Sequence, residues 1–182
     1  MVIKSIRMKI DKLYQGNNVH NNSLEIGHEF QDFIVERLIK DMGISVSIFQ
    51  SKKYQFSKGE SLQGVEIKYD ARSTGDCTYY KCTPTGNVGI EIAEKSRAEL
   101  YKWSESGIYR LDNSWLYIVG NYDCAWVFSK KHLVLMHKTG KYKEISTLPT
   151  LRSMLLPIND ADAYCAKKLI FSEKIPVQSK LF

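Results

Sequence analysis

Gly64-Val65-Glu66-Ile67-Lys68-Tyr69-Asp70 reads as a strand with two unlike faces. Val65, Ile67 and Tyr69 alternate with Glu66, Lys68 and Asp70, and a strand sends successive side chains to opposite sides. One side is apolar and the other carries acid, base, acid. Twenty-one positions after Asp70 comes Glu91, inside Gly86-Asn87-Val88-Gly89-Ile90-Glu91-Ile92-Ala93-Glu94-Lys95. There Val88, Ile90 and Ile92 form the apolar face, so Gly89, Glu91, Ala93 and Lys95 share the opposite one. Pairing of these two strands would gather Glu66, Asp70 and Glu91 around Lys68 and Lys95.

Upstream, the polar, turn-forming run at 15–23 reads as a loop, with Ser23 able to cap a helix over about 24–41. Leu24, Ile26, Phe30, Phe33, Ile34, Leu38 and Ile39 supply its apolar stripe, and Met42-Gly43 its stop. Glu29 and Glu36, seven apart, fall on nearly one side of it. Ile44 to Phe49 alternates as a strand, and the lysine-containing stretch 50–63 reads as a loop or irregular strand.

Downstream, Thr85-Gly86-Asn87 provides turn chemistry before the Glu91 strand. Residues 96–106 read as a short helix or loop, and 114–120 with 124–128 as a hairpin around Asn121-Tyr122-Asp123. Ser129 is placed to cap a short helix at 130–137 and Asn159 a final helix at about 160–171. Residues 148–158, with two prolines, read as extended or irregular. This order predicts an α/β (α+β) fold in which helices flank a mixed central β-sheet.

The 182 residues, 43% hydrophobic and 25% charged, suit one globular domain that buries a core without disulfides. No apolar run approaches the roughly 18 residues of a membrane span. The N-terminus interrupts its apolar residues with charge, unlike a secretory signal, so a cytoplasmic location with no membrane partner is expected. Four scattered cysteines make no disulfide framework, and Cys77 and Cys82 are too widely spaced for a paired zinc ligand set. His132 and His137, five apart, share neither a helix face nor a strand face. A net charge of +6 favours an anionic partner such as nucleic acid.

Carboxylates on neighbouring strands suit Mg²⁺, which takes one or two protein carboxylates and leaves room for water and phosphate oxygens. A nearby lysine can balance charge developing on phosphorus. Gly89 and Ala93 beside Glu91 leave space for a phosphodiester. A helix with an acid, a strand with an acid, then a strand with an acid and a nearby lysine resembles the PD-(D/E)XK nuclease superfamily. The pairing of Gly64 to Asp70 with Thr85 to Glu91 is similar to small phage-type members of it.

The resemblance covers about residues 24–128 and implies a restriction-endonuclease-like core; residues 129–182, outside it, read as a C-terminal helical extension of the same single domain. It implies an Mg²⁺-dependent deoxyribonuclease, Mn²⁺ substituting, that acts as an endonuclease on DNA in a bacterial or phage-infected cell and could work as a homodimer. Asp70 and Glu91 then correspond to the two strand acids that hold the metal, and Glu29 or Glu36 to the helix acid that completes the shell. The family lysine two residues after the second acid is replaced here by Ala93, which leaves Lys68 as the catalytic candidate and Lys95 as the second. A second register takes Glu66-Ile67-Lys68 as the acid-x-lysine element, with Glu60 or an earlier acid as partner, and ranks behind the first because it leaves Glu91 without a task; in the first, Glu66 is a salt-bridging group farther along the strand.

Other readings stand beside this one. The alternating charges also suit a solvated sheet face with cross-strand pairs of about 0.2–1 kcal/mol each. Ala93 suits a catalytically inactive nuclease-fold module that binds DNA or regulates, and the basic surface suits a protein-interaction inhibitor. Tyr79, Tyr80, Tyr101, Trp103 and Tyr109, near Lys81, Lys102 and Arg110, could stack on bases or fill a core.

Overall fold

The computed structural model describes residues 19–49, 51–74 and 83–171. Cys77, Tyr79, Tyr80, Lys81 and Cys82 lie outside them. The fold is α+β. Its elements run α1 (Val19–Met42), α2 (Lys52–Lys58), β1 (Val65–Tyr69), β2 (Asn87–Glu94), β3 (Ser104–Glu105) and a 3-10 turn (Gly107–Tyr109). Then come β4 (Leu116–Gly120), β5 (Cys124–Ser129), α3 (Lys130–Lys138), β6 (Glu144–Leu148), β7 (Leu151–Pro157), α4 (Ile158–Tyr164) and β8 (Lys167–Ile170).

The strands divide between two four-stranded sheets, ordered β1-β4-β5-β8 and β3-β2-β7-β6. The first is mixed: β1 runs parallel to β4, while β4–β5 and β5–β8 are antiparallel. The second is antiparallel throughout, with a register shift between Glu91 and Ala93 where β2 meets β7.

Both faces of the first sheet are covered, which is why β4 and β5 read as continuous apolar runs rather than alternating ones. On one face Val65, Ile67, Ile118, Ala125 and Leu169 pack against Phe30, Phe33, Ile34 and Leu38 of α1. Those helix residues recur at three- and four-residue spacings and form its single apolar stripe. On the other face Tyr117, Val119, Trp126 and Phe128 meet Val88, Ile90, Ile92, Met154 and Leu156 of the second sheet, with Leu133 and Met136 of α3.

The expected pairing of the two acidic strands does not occur. β1 lies beside β4 and β2 beside β7, so the strands carrying Lys68 and Glu91 belong to different sheets that face each other. Other expectations are corrected as well. Residues 44–49 make only an isolated bridge, Ile48 with Ser61, and the supposed loop 50–63 contains α2. The helix begins at Val19, inside the run read as a loop. Ser129 precedes α3 but makes no side-chain capping bond. Over the described residues 129–171 the expected helical extension is instead mixed: β7 lies within the stretch read as extended or irregular, β7 and β8 complete the two sheets, and the expected final helix is cut to α4 before the chain returns as a strand. Among the described residues no helix is long and apolar enough to cross a membrane.

Candidate functional site

β1 is an edge strand, and its outward-pointing amides need partners other than a neighbouring ladder. The two residues before the turn supply them. The Ser61 hydroxyl accepts from the Val65 amide at 2.7 Å and donates to the Val65 carbonyl at 2.8 Å. The Glu60 carboxylate accepts from the Ile67 amide at 3.2 Å, and from Gln31 of α1 at the same distance. Glu60 and Ser61 are buried as a result.

Because Val65 and Ile67 face α1, Glu66 and Lys68 must point the other way, into the space between the sheets. Glu66 is wholly buried there, and the Lys68 side chain keeps 23% of its surface exposed. The Lys68 ammonium sits 2.6 Å from Glu60 Oε1, 3.1 Å from Glu66 Oε1 and 3.7 Å from Glu91 Oε2. Burial opposes its charge, yet the three carboxylates more than offset this and raise its pKa well above that of a free lysine.

Glu91 arrives from the facing sheet, and its position is fixed from three directions. Its Oε1 accepts from the Ser106 hydroxyl at 2.6 Å, and its amide donates to the buried Tyr117 hydroxyl at 3.3 Å. Gly107, at a φ of 52°, lets the 3-10 turn press directly on the Glu91 backbone and Cβ, where any side chain would collide. Burial favours its neutral form, but Lys68, Ser106 and Arg110 together outweigh that and lower the pKa of Glu91.

Behind Glu66 stands a second cation. Lys130, at the start of α3, donates to Asp112 Oδ1 at 2.9 Å and to the Arg110 carbonyl at 3.0 Å, and lies 3.6 Å from Glu66 Oε2. Neither oxygen of Glu66 makes a hydrogen bond of good geometry, although each faces an ammonium. Burial therefore dominates and raises the Glu66 pKa, with Lys68 acting in the opposite sense and Glu60 reinforcing the rise. Arg110 reaches 3.6 Å from Glu94 at the open rim of the cluster.

Asp70 follows the last residue of β1. Its Oδ2 accepts from the Gly89 amide at 2.7 Å and its Oδ1 from the Arg72 amide at 3.1 Å. Burial raises its pKa, partly offset by those two amides. Gly89 precedes Glu91 by two residues, so Asp70 and Tyr117 hold amides on one edge of β2. The two strand acids expected from sequence are therefore joined through the backbone of β2 rather than through a sheet ladder.

The remaining candidates separate clearly. Glu29 and Glu36 lie on the exposed side of α1, and no described hydrogen bond or ion pair joins either to Glu66, Lys68, Asp70 or Glu91. The helix acid expected to complete a metal shell is absent from the cluster, because α1 packs on the opposite face of the first sheet. Lys95 lies outside the cluster too: its ammonium donates to the Ala98 carbonyl at 3.0 Å and sits 4.7 Å from the Trp103 ring centroid. Glu66, read as a peripheral group in the first register, is the most buried member. Glu60, Glu66 and Glu91 all meet at Lys68, and Asp70 stands apart from that contact.

Sequence reasoning missed Asp112, Lys130 and Ser106. Lys130 and Asp112 are far apart in sequence from β1 and carry no local pattern, so only the tertiary fold identifies them. His137 bonds Tyr109 at 2.6 Å and Glu144 at 3.1 Å, away from this cluster.

Asp70 and Glu91 offer hard carboxylate oxygens of the kind a divalent cation takes, but both oxygens of Asp70 hold backbone amides and those of Glu91 face Ser106 and Lys68, so a cation bound there would have to displace these partners. A three-carboxylate set with Glu29 does not fit, and among the described residues no group of three or more His, Cys, Asp or Glu side chains is arranged to hold a metal ion. Comparison of the chain with protein-family models, with curated proteins and with solved structures finds no match.

Proposed function

We propose that the protein is a metal-dependent nuclease that hydrolyses DNA phosphodiester bonds at the Lys68 cluster. The observation that carries this reading is the convergence, from two sheets, of Glu91 on a lysine already held by Glu60 and Glu66, at 3.7, 2.6 and 3.1 Å. The sequence resemblance of the Gly64–Asp70 and Thr85–Glu91 segments to PD-(D/E)XK nucleases and the net charge of +6 support it.

In this reading Asp70 and Glu91 would hold Mg²⁺ or Mn²⁺, which would supply an activated water and stabilise charge on the phosphoryl oxygens. Ser106 and Tyr117 fix Glu91 so that Oε2 is the oxygen turned to the site. Lys68 keeps its proton at any working pH and offers a cation to a non-bridging phosphate oxygen through its exposed side. Glu60 orients that ammonium, and Lys130 balances Glu66 behind it.

Purified protein incubated with plasmid, single-stranded and branched DNA and Mg²⁺ or Mn²⁺ should cleave at least one of them. Asp70→Asn and Glu91→Gln should lose cleavage by at least about 100-fold, as removal of a group that stabilises transition-state charge does. No cleavage by the wild type, or equal cleavage by the variants, sinks the reading.

One observation favours a second reading, a nuclease-like module that binds DNA without cutting it. Both oxygens of Asp70 already hold backbone amides, and Lys68 is ringed by carboxylates. That module would bind DNA with a strong salt dependence and no response to divalent ions. Absence of nucleic-acid binding at moderate salt would instead favour a protein partner.

A further inference from the structure

The segment that leaves β2 builds a second feature at the far end of the strand from Asp70. Trp103 is half-buried and bracketed by two cations, with Lys95 Nζ 4.7 Å and Arg152 Cζ 4.5 Å from its ring centroid. β7 brings Arg152 there, since the register places it opposite Ala93, and the Lys95 amide continues the contact by bonding the Thr150 carbonyl at 2.8 Å. The Lys95 ammonium also ties the turn by bonding the Ala98 carbonyl at 3.0 Å.

On this support the loop displays side chains that gain nothing from the fold. Tyr101 is 100% exposed, Leu100 is exposed, and Arg97 and Lys102 point to solvent. A fully exposed tyrosine loses its apolar burial, so its ring is available as a stacking surface. Lys95, Arg97, Lys102 and Arg152 give the patch four cations. Glu99 and Glu105 oppose them; Glu94 is paired with Arg110 at 3.6 Å, and Glu144 lies 3.1 Å from His137 and 4.0 Å from Arg152. The balance on the loop is positive. Lys95 follows Glu91 by four residues, or about 13 Å of strand, so a chain lying on the patch can continue toward the Lys68 cluster.

We propose that residues 95–103 with Arg152 form a binding surface for an unpaired nucleic-acid strand, with Tyr101 stacking on a base and Lys102, Arg97 and Arg152 meeting phosphates. Cations with one exposed aromatic ring match a single strand, whose bases have free π-faces, and not a duplex, whose bases are stacked on each other. The inference deepens the nuclease reading by naming the substrate as single-stranded or branched, and it is tested without cleavage.

Fluorescence anisotropy in EDTA with a labelled oligothymidylate of about 15 nucleotides, its ribose counterpart and a duplex of equal length measures it. The wild type should bind a single strand at least about tenfold more tightly than the duplex, and Tyr101→Ala should weaken that binding at least about fivefold. Arg97→Ala with Lys102→Ala should lower the slope of log K against log salt by about 1.4. Both sites are exposed, and an unchanged circular dichroism spectrum certifies the fold of each variant. Binding of either sugar supports the proposal, and the ratio names the preferred one. Equal affinity of Tyr101→Ala and wild type, equal affinity for duplex and single strand, or no binding overturns it. Strand binding that depends on Tyr101 in a protein that never cleaves removes the nuclease reading and keeps this one; metal-dependent cleavage with binding indifferent to Tyr101 does the reverse.

Discussion

Lys68 carries opposite demands, since it closes a buried ionic cluster and, in the proposed reaction, would offer its charge to the substrate. Its removal leaves Glu60, Glu66 and Glu91 facing one another with Lys130 as the remaining ammonium nearby. Breaking a buried pair in this way costs about 3–5 kcal/mol, so Lys68→Met should lose that much in urea unfolding at neutral pH. Glu66→Gln on the same background should recover part of the loss by removing one of the uncompensated charges. Strict additivity of the two changes would show that Glu66 and Lys68 do not interact. The two acids also predict opposite pH behaviour. Glu66 has a folded pKa above its ordinary 4.5, so its contribution is full below about pH 4.5 and is lost as pH rises through the folded value. Glu91 has a folded pKa below 4.5, so its contribution is full above that value and is lost as pH falls through the folded one. The stability of Glu66→Gln relative to wild type should therefore increase with pH above about 4.5, while that of Glu91→Gln should stay constant there and improve only in acid. Denaturant midpoints across pH 3–8 give both curves, and parallel curves for the two variants contradict the assignment.

At the scale of elements, β1 is held as much by the residues before it as by β4. Ser61→Ala would leave the Val65 amide unpaired inside the protein, at a cost of about 1–3 kcal/mol, and hydrogen exchange at Val65 and Ile67 should accelerate before that of Ile118 in β4. Unchanged protection at Val65 would mean that the edge is covered otherwise. This dependence also shows what the sequence could reveal. β1, β2, β4 and β5 were legible because alternation or an apolar run marks a strand locally, and Glu66 and Lys68 were placed on one face for the same reason. α2 was not, since Lys52 to Lys58 has no amphipathic stripe and reads as a charged loop. Residues 44–49 alternate as a strand should, but β1 offers them no open edge once Glu60 and Ser61 have taken its amides. β6 is polar enough to pass for a turn, and β8 follows a short helix whose signals run into it. The partnership of β2 with β7 links residues 57 to 70 positions apart. Alternation within each strand fixes which side faces inward without naming the partner, so the two acidic strands could be read as neighbours when they face each other across a core.

At the scale of the whole molecule, the first sheet belongs to two cores at once. Ile118 points to the α1 side and its neighbours Tyr117 and Val119 to the second sheet, and all three are buried. Neither core can be lost alone without exposing one face of β4 and β5, so the cores should melt together. The Lys68 cluster strengthens this coupling, because it bridges β1, β2 and α3 where the apolar contact between sheets gives way to charge. Ile118→Ala removes packing on the α1 side and Ile90→Ala packing between the sheets. Each should cost about 2–5 kcal/mol, and each should shift one common unfolding transition rather than a transition of its own. Far-ultraviolet circular dichroism reports both layers. Fluorescence of the wholly buried Trp126, whose indole donates to Asp162 at 2.6 Å, reports the core between the sheets. Coincident melting curves by the two probes in both variants are the expected result. Separate transitions, with Ile118→Ala moving only one and Ile90→Ala only the other, would show that the shared sheet does not transmit stability from one core to the other.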